Sequence, residues 1–325
     1  MRILITGSNG YIGSVLGNYL ISKKFNIIGI DKKNNNKFIN FKQLKCDLNN
    51  THKLIKILEK YKPGKIIHLA GESTIDNIFN KKNYIVNNIK ATKNLLDVCK
   101  KQKIKDIIFS STAAVYKQTN RKIKESYIKR PNNIYGITKL KAENLIIKHS
   151  NYNNLNYIIF RFFNVCSSLR NIGENHNPET HLIPIAVQKF VDKKELIVYG
   201  QNFNTKDGSC IRDYIHIKDL CVAFYSALKL LDNNKKKQIH KIINLGSNNG
   251  ISVLQIINFF KKKLPYKISK RRKGDKAILI CNNNLAFKIL KWKPLNSHIK
   301  KIIQDEIKWY NYLKKKNNSG KKKKK

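Results

Sequence analysis

The stretch Arg2–Ser14, RILITGSNGYIGS, decides how the rest of the chain is read. Ile3, Leu4 and Ile5 form a short apolar run, which predicts a buried strand, and a helical pattern starts at Tyr11. Between them lie Gly7, Gly10 and Gly13 in a G-x-x-G-x-x-G spacing. Gly7 permits the sharp turn out of the strand, Gly10 lets a diphosphate approach the backbone, and Gly13 lets the helix pack close to the sheet. The open helix end at Tyr11 and Ile12 then offers N–H groups and partial positive charge to the phosphates. Asp31 ends the next apolar run. A carboxylate there accepts from both hydroxyls of an adenosine ribose and repels a 2′-phosphate, so it favours NAD over NADP. Lys32 and Lys33 weaken that preference slightly.

Outward from this loop, short β-rich runs alternate with longer helical patterns. Strands are expected at Arg2–Thr6, Asn26–Ile30, Phe41–Lys45, Lys65–Leu69, Asp106–Ser110 and Tyr157–Arg161. Helices are expected at Ile12–Ser22, His52–Lys60 and Asn83–Lys101. The alternation predicts an α/β fold with a doubly wound parallel sheet of Rossmann type. After Asn164 the pattern is less regular, which predicts a smaller mixed α/β substrate-binding domain. The expected division is residues 1–166 for the dinucleotide domain, 167–313 for the substrate domain, and 314–325 for a disordered lysine-rich tail. Gly7, Asp31, Asp47, Ala70-Gly71, Ser110-Ser111-Thr112 and Asn164 all fall at carboxyl ends of expected strands, the edge where open α/β sheets bind ligands. Asp47 and Leu48 suit an adenine, as acceptor and apolar cover; Asp47 equally suits a helix N-cap.

Lys+Arg number 66 against 20 Asp+Glu, a net charge of +46. Such a surface can attract nucleic acid. The lysines are spread along the whole chain, however, and form no stripe interleaved with aromatics, so no nucleic-acid partner is expected. No apolar run approaches the roughly 18–20 residues of a membrane helix, and no signal segment precedes the first strand, which predicts a cytoplasmic protein. The six cysteines are scattered without a C-x-x-C pair. They are read as reduced packing residues, and no metal site is expected.

The chemistry centres on Tyr135 and Lys139 (YGITK), four apart on one expected helix face. A tyrosine of ordinary pKa, about 10, is a poor base at neutral pH. A neighbouring ammonium and a cationic nicotinamide would both stabilise its phenolate. Thr112 can add a hydroxyl from the end of the fifth strand. Y-x-x-x-K alone is common on protein surfaces; behind a glycine loop it reads as a catalytic pair.

Together these residues resemble the extended short-chain dehydrogenase/reductase superfamily. Gly173–Pro184 (GENHNPETHLIP), Tyr199–Leu220 (YGQNFNTKDGSCIRDYIHIKDL), Asn244–Gly246 (NLG) and Arg271–Asp275 (RRKGD) resemble the UDP-glucose 4-epimerases within it. The resemblance implies NAD-dependent interconversion of UDP-glucose and UDP-galactose through a transient 4-keto sugar. It assigns the proton of the 4-hydroxyl to Tyr135, support of that oxygen to Thr112, and tuning of Tyr135 and the nicotinamide ribose to Lys139. It adds Leu69, Ala70, Gly71, Asn87, Ser110 and Phe162 to the cofactor site. For the UDP-hexose it implies Asn164, His181, Leu182, Tyr199, Arg212, Arg272 and Asp275, together with a homodimer. Two arginines suit a diphosphate, a carboxylate a uridine ribose, and an aromatic a uracil face; Arg212 alternatively pairs with Asp213 or Asp219.

Four positions depart from the pattern: Lys117 and Ala91 replace glycines, Phe162 replaces a tyrosine, and the segment after Ala70 is one residue short. Ala113-Ala114 replace the acid and base that a 4,6-dehydratase needs. Leu279, intermediate in size, leaves N-acetylated UDP-hexoses open as substrates. A non-catalytic nucleotide- or RNA-binding protein is the reading from another class, and it would require clustered lysines and a lost catalytic trio.

Overall fold

Alternate residues of the first strand face opposite ways, and both faces are apolar. Ile3 and Ile5 enter one core and Leu4 the other. A strand buried on both faces belongs inside a parallel sheet covered by helices on each side. The protein, described from a computed structural model, has that architecture. The structure describes residues 1–322 apart from 35, 37, 73–80, 177, 234–236, 261, 262 and 273, with backbone alone for 317–322.

The first half runs β1 (Arg2–Thr6), α1 (Tyr11–Ser22), β2 (Asn26–Asp31), β3 (Lys42–Lys45), α2 (Thr51–Tyr61) and β4 (Lys65–His68). After them come α3 (Lys81–Tyr84), a π-helical segment (Ile85–Lys90), α4 (Ala91–Lys101), β5 (Asp106–Thr112), α5 (Ile134–Asn153) and β6 (Asn156–Phe162). The second half runs β7 (Asn164–Cys166), α6 (Leu182–Val191), β8 (Leu196–Tyr199), β9 (Ile211–His216), α7 (Ile217–Asn233) and β10 (His240–Leu245). It ends with β11 (Gly250–Ser252), α8 (Val253–Asn258), β12 (Tyr266–Ser269), β13 (Ile278–Leu279), α9 (Asn284–Leu290) and α10 (Ile299–Lys322).

The main sheet has seven strands in the order β10-β6-β5-β4-β1-β2-β3, every pair parallel. Strand order reverses between β1 and β4, which opens the ligand crevice of a doubly wound sheet at their carboxyl ends. Residues of α1, α7 and α9 cover one face, and those of α2, α4 and α5 the other. A third core joins α6, β8, α8 and α10. β9 there pairs with β7, β11 and β13, while β8 pairs with β12.

Two expectations differ from this arrangement. The boundary at 166/167 does not divide the sheet, because β10 pairs with β6 and α7 shares a core with α1. β6 is buried along its length and needs a partner on its outer edge; β7, next in sequence, pairs with β9 instead. The backbone of α10 also continues helically to Lys322, past the tail boundary at 314. Ile302, Ile303 and Trp309 bury its inner face, and Lys314 still pairs with Asp192 at 2.8 Å. All six cysteines are free, five of them buried. Among the described residues no helix is long and apolar enough to cross a membrane.

Candidate active site

The turn after β1 is built from backbone. Gly7 has φ +70°, and a Cβ on it would stand 2.7 Å from the Ala70 nitrogen. A Cβ on Gly13 would come within 2.2 Å of the Gly7 carbonyl oxygen, so the start of α1 lies directly on the turn. At Gly10 a Cβ would meet only the Gly7 oxygen, at 3.4 Å, and would otherwise fill the open face of the loop. Gly10 is the N-cap of α1 and no side chain caps the helix. The first turn therefore directs its N–H groups outward, an arrangement that fits a diphosphate. Asp31 stands beside it, its Oδ2 accepting from the Asn9 N–H at 3.0 Å. A glycine cradle, an uncapped helix and a strand-end carboxylate together fit NAD.

The rim resolves several assignments. Asn50, not Asp47, caps α2, accepting from the Lys53 N–H. Asp47 binds the Asn49 N–H at 2.8 Å and Lys32 at 3.3 Å. Burial raises its pKa, but these contacts more than offset that and hold it below the usual carboxylate value. Lys32 also donates to Asn87 Oδ1 at 2.7 Å, so one cation spans two residues expected around the cofactor. Leu48 is buried among the residues of the second core, and Leu69 packs at the edge of the first. The Tyr11 hydroxyl donates to the Ser167 carbonyl at 2.6 Å, and Ile12 packs beside α7's core. The ring of Phe162 packs edge-on against Phe224, as a core residue. The shortened segment after Ala70 lies largely outside the described residues, from 73 to 80. Lys117 is exposed and its φ is not positive, so the glycine it replaces is not required there.

The chemical centre is preassembled between β5 and α5. Asn133 caps α5, its Oδ1 accepting from the Gly136 N–H at 2.7 Å. A Cβ on Gly136 would stand 2.6 Å from the Ala114 oxygen, so α5 meets the end of β5 closely there. Tyr135 hydrogen-bonds to Thr112, but burial outweighs that contact and pushes the phenol up to about 12. Thr112 Oγ1 also accepts from the Ala114 N–H at 3.1 Å. The Lys139 ammonium lies 4.3 Å over the Phe109 ring; burial pulls its pKa down to about 7, against the pull of Glu143. Ser110 donates to the His68 carbonyl. Gly71 faces this centre, where a Cβ would be 2.7 Å from Asn88 Oδ1 and 3.8 Å from Lys139 Nζ.

The second half closes the other side. Arg272 stacks 3.8 Å from the centre of the Tyr199 ring, and Arg212 approaches Asp275 at 3.7 Å. Arg212 also donates to the Lys276 carbonyl at 2.7 Å. The alternative pairing of Arg212 does not form. Asp213 instead accepts from Ser247, Asn248 and Cys281, and Asp219 from Asn296 and Ser297. Asn164 enters β7 opposite Tyr214, and Leu279 pairs with Arg212 in register. His181 and Leu182 form the N-cap and first residue of α6. Burial lowers the His181 pKa, but Glu174 and Glu179 more than offset it and lift the imidazole to about 10.

Residues 3–246 match the NAD dependent epimerase/dehydratase family. The chain belongs to this epimerase/dehydratase family. A UDP-glucose 4-epimerase of Halalkalibacterium halodurans is 33% identical over 95% of this chain and 96% of its own length. The solved UDP-glucose 4-epimerase of Brucella ovis in complex with NAD superposes with a TM-score of 0.88 at 30% identity, covering 94% of this chain and 97% of that one. The enzyme of Bifidobacterium longum in complex with NAD+ and UDP gives 0.87 at 27% identity, covering 96% and 98%.

This epimerase-family site rests on residues that sequence reasoning did not single out. Glu143, one turn beyond Lys139, forms a two-bonded pair with Arg161 of β6, at 3.0 and 2.6 Å. Ser111 donates to the same carboxylate, and Arg161 reaches the Tyr116 hydroxyl at 2.8 Å. Asn88, in the π-helical segment, bonds both Glu72 backbone groups and Thr138. His68 bridges Thr6 and Thr92; burial, with Lys139 nearby, pulls it down to about 3 and keeps it neutral. The available signal was a pair of opposite charges on element faces that are otherwise apolar.

Proposed function

We propose that the chain is an NAD-dependent UDP-glucose 4-epimerase that interconverts UDP-glucose and UDP-galactose. The observation that carries this reading is the group of Thr112, Tyr135 and Lys139 beside the glycine cradle, with Thr112 and Lys139 buried and Tyr135 partly so. The cradle, Asp31, Asp47 and Asn87 hold the dinucleotide, with Lys139 at the nicotinamide ribose. When bound, NAD supplies the acceptor, and then the donor, for the hydrogen on carbon 4 of the hexose. Tyr135 exchanges the proton of the 4-hydroxyl, and Thr112 holds that oxygen in line. A phenol at about 12 cannot act as a base at neutral pH, so the site needs positive charge. Lys139 and the cationic ring provide it. Arg212 and Arg272 bind the diphosphate, Tyr199 covers the uracil and Asp275 takes the uridine ribose. Leu279, half-buried beside Arg212, bounds the space for an N-acetyl group, so N-acetylated UDP-hexoses are the second substrate class to test.

The same reading makes the protein a cytoplasmic homodimer. Asp97 of α4 reaches His149 of α5 at 3.1 Å, which aligns the two helices as one face for a twofold mate.

The test is conversion of UDP-galactose, and separately UDP-N-acetylgalactosamine, with no cofactor added. Tyr135→Phe is the control, with chromatography of the nucleotide sugars as readout. Product in the first tube, absent in the control, supports the epimerase and retained NAD together. Product in the second widens the substrate class. No product even after NAD is supplied overturns the reading.

A further inference from the structure

Just before α6 the chain reads ENHNPETH from Glu174 to His181, with acids and imidazoles at 174, 176, 179 and 181. One ligand-type atom from each of these four side chains falls within 4.8 Å of the others. Nδ1 of His176 is 2.8 Å from Glu174 Oε1. Nδ1 of His181 is 3.0 Å from that oxygen and 2.9 Å from Glu179 Oε1. Both carboxylates are buried, at 3% and 6% exposure, whereas the imidazoles are about half exposed, at 44% and 48%. The group therefore has a buried acidic floor and an accessible rim.

One oxygen of this group lacks a partner. Among the described residues, Glu174 and Glu179 form ion pairs only with these two imidazoles. Glu174 Oε2 is buried with no hydrogen-bond partner. Glu306, from α10, also has a buried Oε2 without a hydrogen-bond partner. An orphaned carboxyl oxygen in an interior is costly and calls for a partner, which a bound cation can supply.

We propose that Glu174, His176, Glu179 and His181 bind a divalent cation of the zinc class. Once each imidazole releases its Nδ1 proton to solvent, two imidazoles and two carboxylates form a donor set suited to zinc or a neighbouring first-row metal. Bonds of about 2.0–2.1 Å in a tetrahedron place ligand atoms roughly 3.3 Å apart. The close pairs then spread by a few tenths of an ångström and the wide pairs close in, movements within the reach of side chains. Bidentate coordination by Glu174 would employ Oε2, the atom now without a partner. The surroundings already orient the ligands. The Thr180 and His181 N–H groups hold Glu179 Oε1 at 2.8 and 2.9 Å, and Trp309 donates to the Glu174 carbonyl at 2.7 Å. All four ligands come from one short segment, so the cation would fix the approach to α6, which the Trp309 bond ties to α10. It would take no part in the reaction at Tyr135. This departs from the expectation of no metal, which considered cysteines alone.

The test uses the untagged full chain, stripped with a chelator and dialysed. Zinc is titrated in with elemental analysis as readout, and Co2+ is added separately to record its visible ligand-field spectrum. One zinc per chain at micromolar free metal, with a tetrahedral Co2+ spectrum, is expected. His176→Ala should weaken binding by more than about tenfold. Uptake of no stoichiometric zinc by the wild type overturns the proposal, whatever the folding of the variant. So does a folded His176→Ala chain that binds zinc as tightly as the wild type.

Discussion

The two walls of the site are built on different principles. The sheet-side wall is finished before any ligand arrives: Thr112, Tyr135 and Lys139 sit in buried surroundings, braced by Glu143–Arg161 and by Asn88. The outer wall keeps its charged groups near the surface, with Arg272 parked on Tyr199 and Arg271 on Phe203. Reacting atoms require positions fixed to fractions of an ångström, whereas a diphosphate requires charge that can close around it. On the proposed function, burial falls where bonds would change and exposed charge where the substrate would be held.

The strongest way to break that contrast is Tyr135→Phe. It should lower kcat by about a hundredfold to ten-thousandfold while melting temperature hardly moves, as steady-state kinetics and thermal unfolding would show. Arg161→Met should act the opposite way, because it strands the Glu143 charge. A loss of about 3–5 kcal/mol in urea unfolding is expected, much of it recovered by adding Glu143→Leu.

Lys139→Met sharpens the comparison through pH. The folded value of Lys139 falls from 10.5 to about 7, so below 10.5 the unfolded chain binds this proton more firmly than the folded one. Its burial costs stability increasingly as pH falls towards 7. The variant should therefore be inactive yet more stable at pH 7, by about 4 kcal/mol. The gain should shrink as pH rises towards 10, which paired unfolding curves would reveal. On the outer wall Arg272→Ala should raise KM for the UDP-sugar about tenfold with kcat nearly unchanged, the loss of one charge-assisted contact. A comparable fall in kcat would mean that this wall is rigid too.

The sequence made the sheet-side wall easier to read than its support. Strands β1, β2, β4 and β5 were legible because each is a short apolar run ending in a polar residue, and the glycine loop fixed which edge binds. β10 was not: HKIINL looks like any buried run, and only the free edge of β6 determines where it docks. Tyr135 and Lys139 were singled out by spacing and Thr112 by its place at a strand end, and the structure brings Thr112 to Tyr135. Glu143 and Arg161 were not, since they meet across a helix and a strand and share no periodicity. Tyr199 and Arg212 lie some sixty residues or more before Arg272 and Asp275, and only resemblance grouped the two pairs. Asp47 and Asn50 show the limit of local rules: both suit a cap, and three-dimensional competition chose Asn50.

The return of β10 to the edge of β6 also bears on how the protein is made. Everything up to Phe162 can leave the ribosome while the outer edge of the sheet is still bare. At about 5–20 residues per second, the next seventy-odd residues occupy roughly 4–15 s. Throughout that interval the nascent chain carries an exposed strand edge, and until α7 emerges late in it an uncovered apolar face as well. The cell must guard this edge until His240–Leu245 emerges, so synthesis slowed or halted between residues 163 and 240 should send the protein to chaperones or into aggregates.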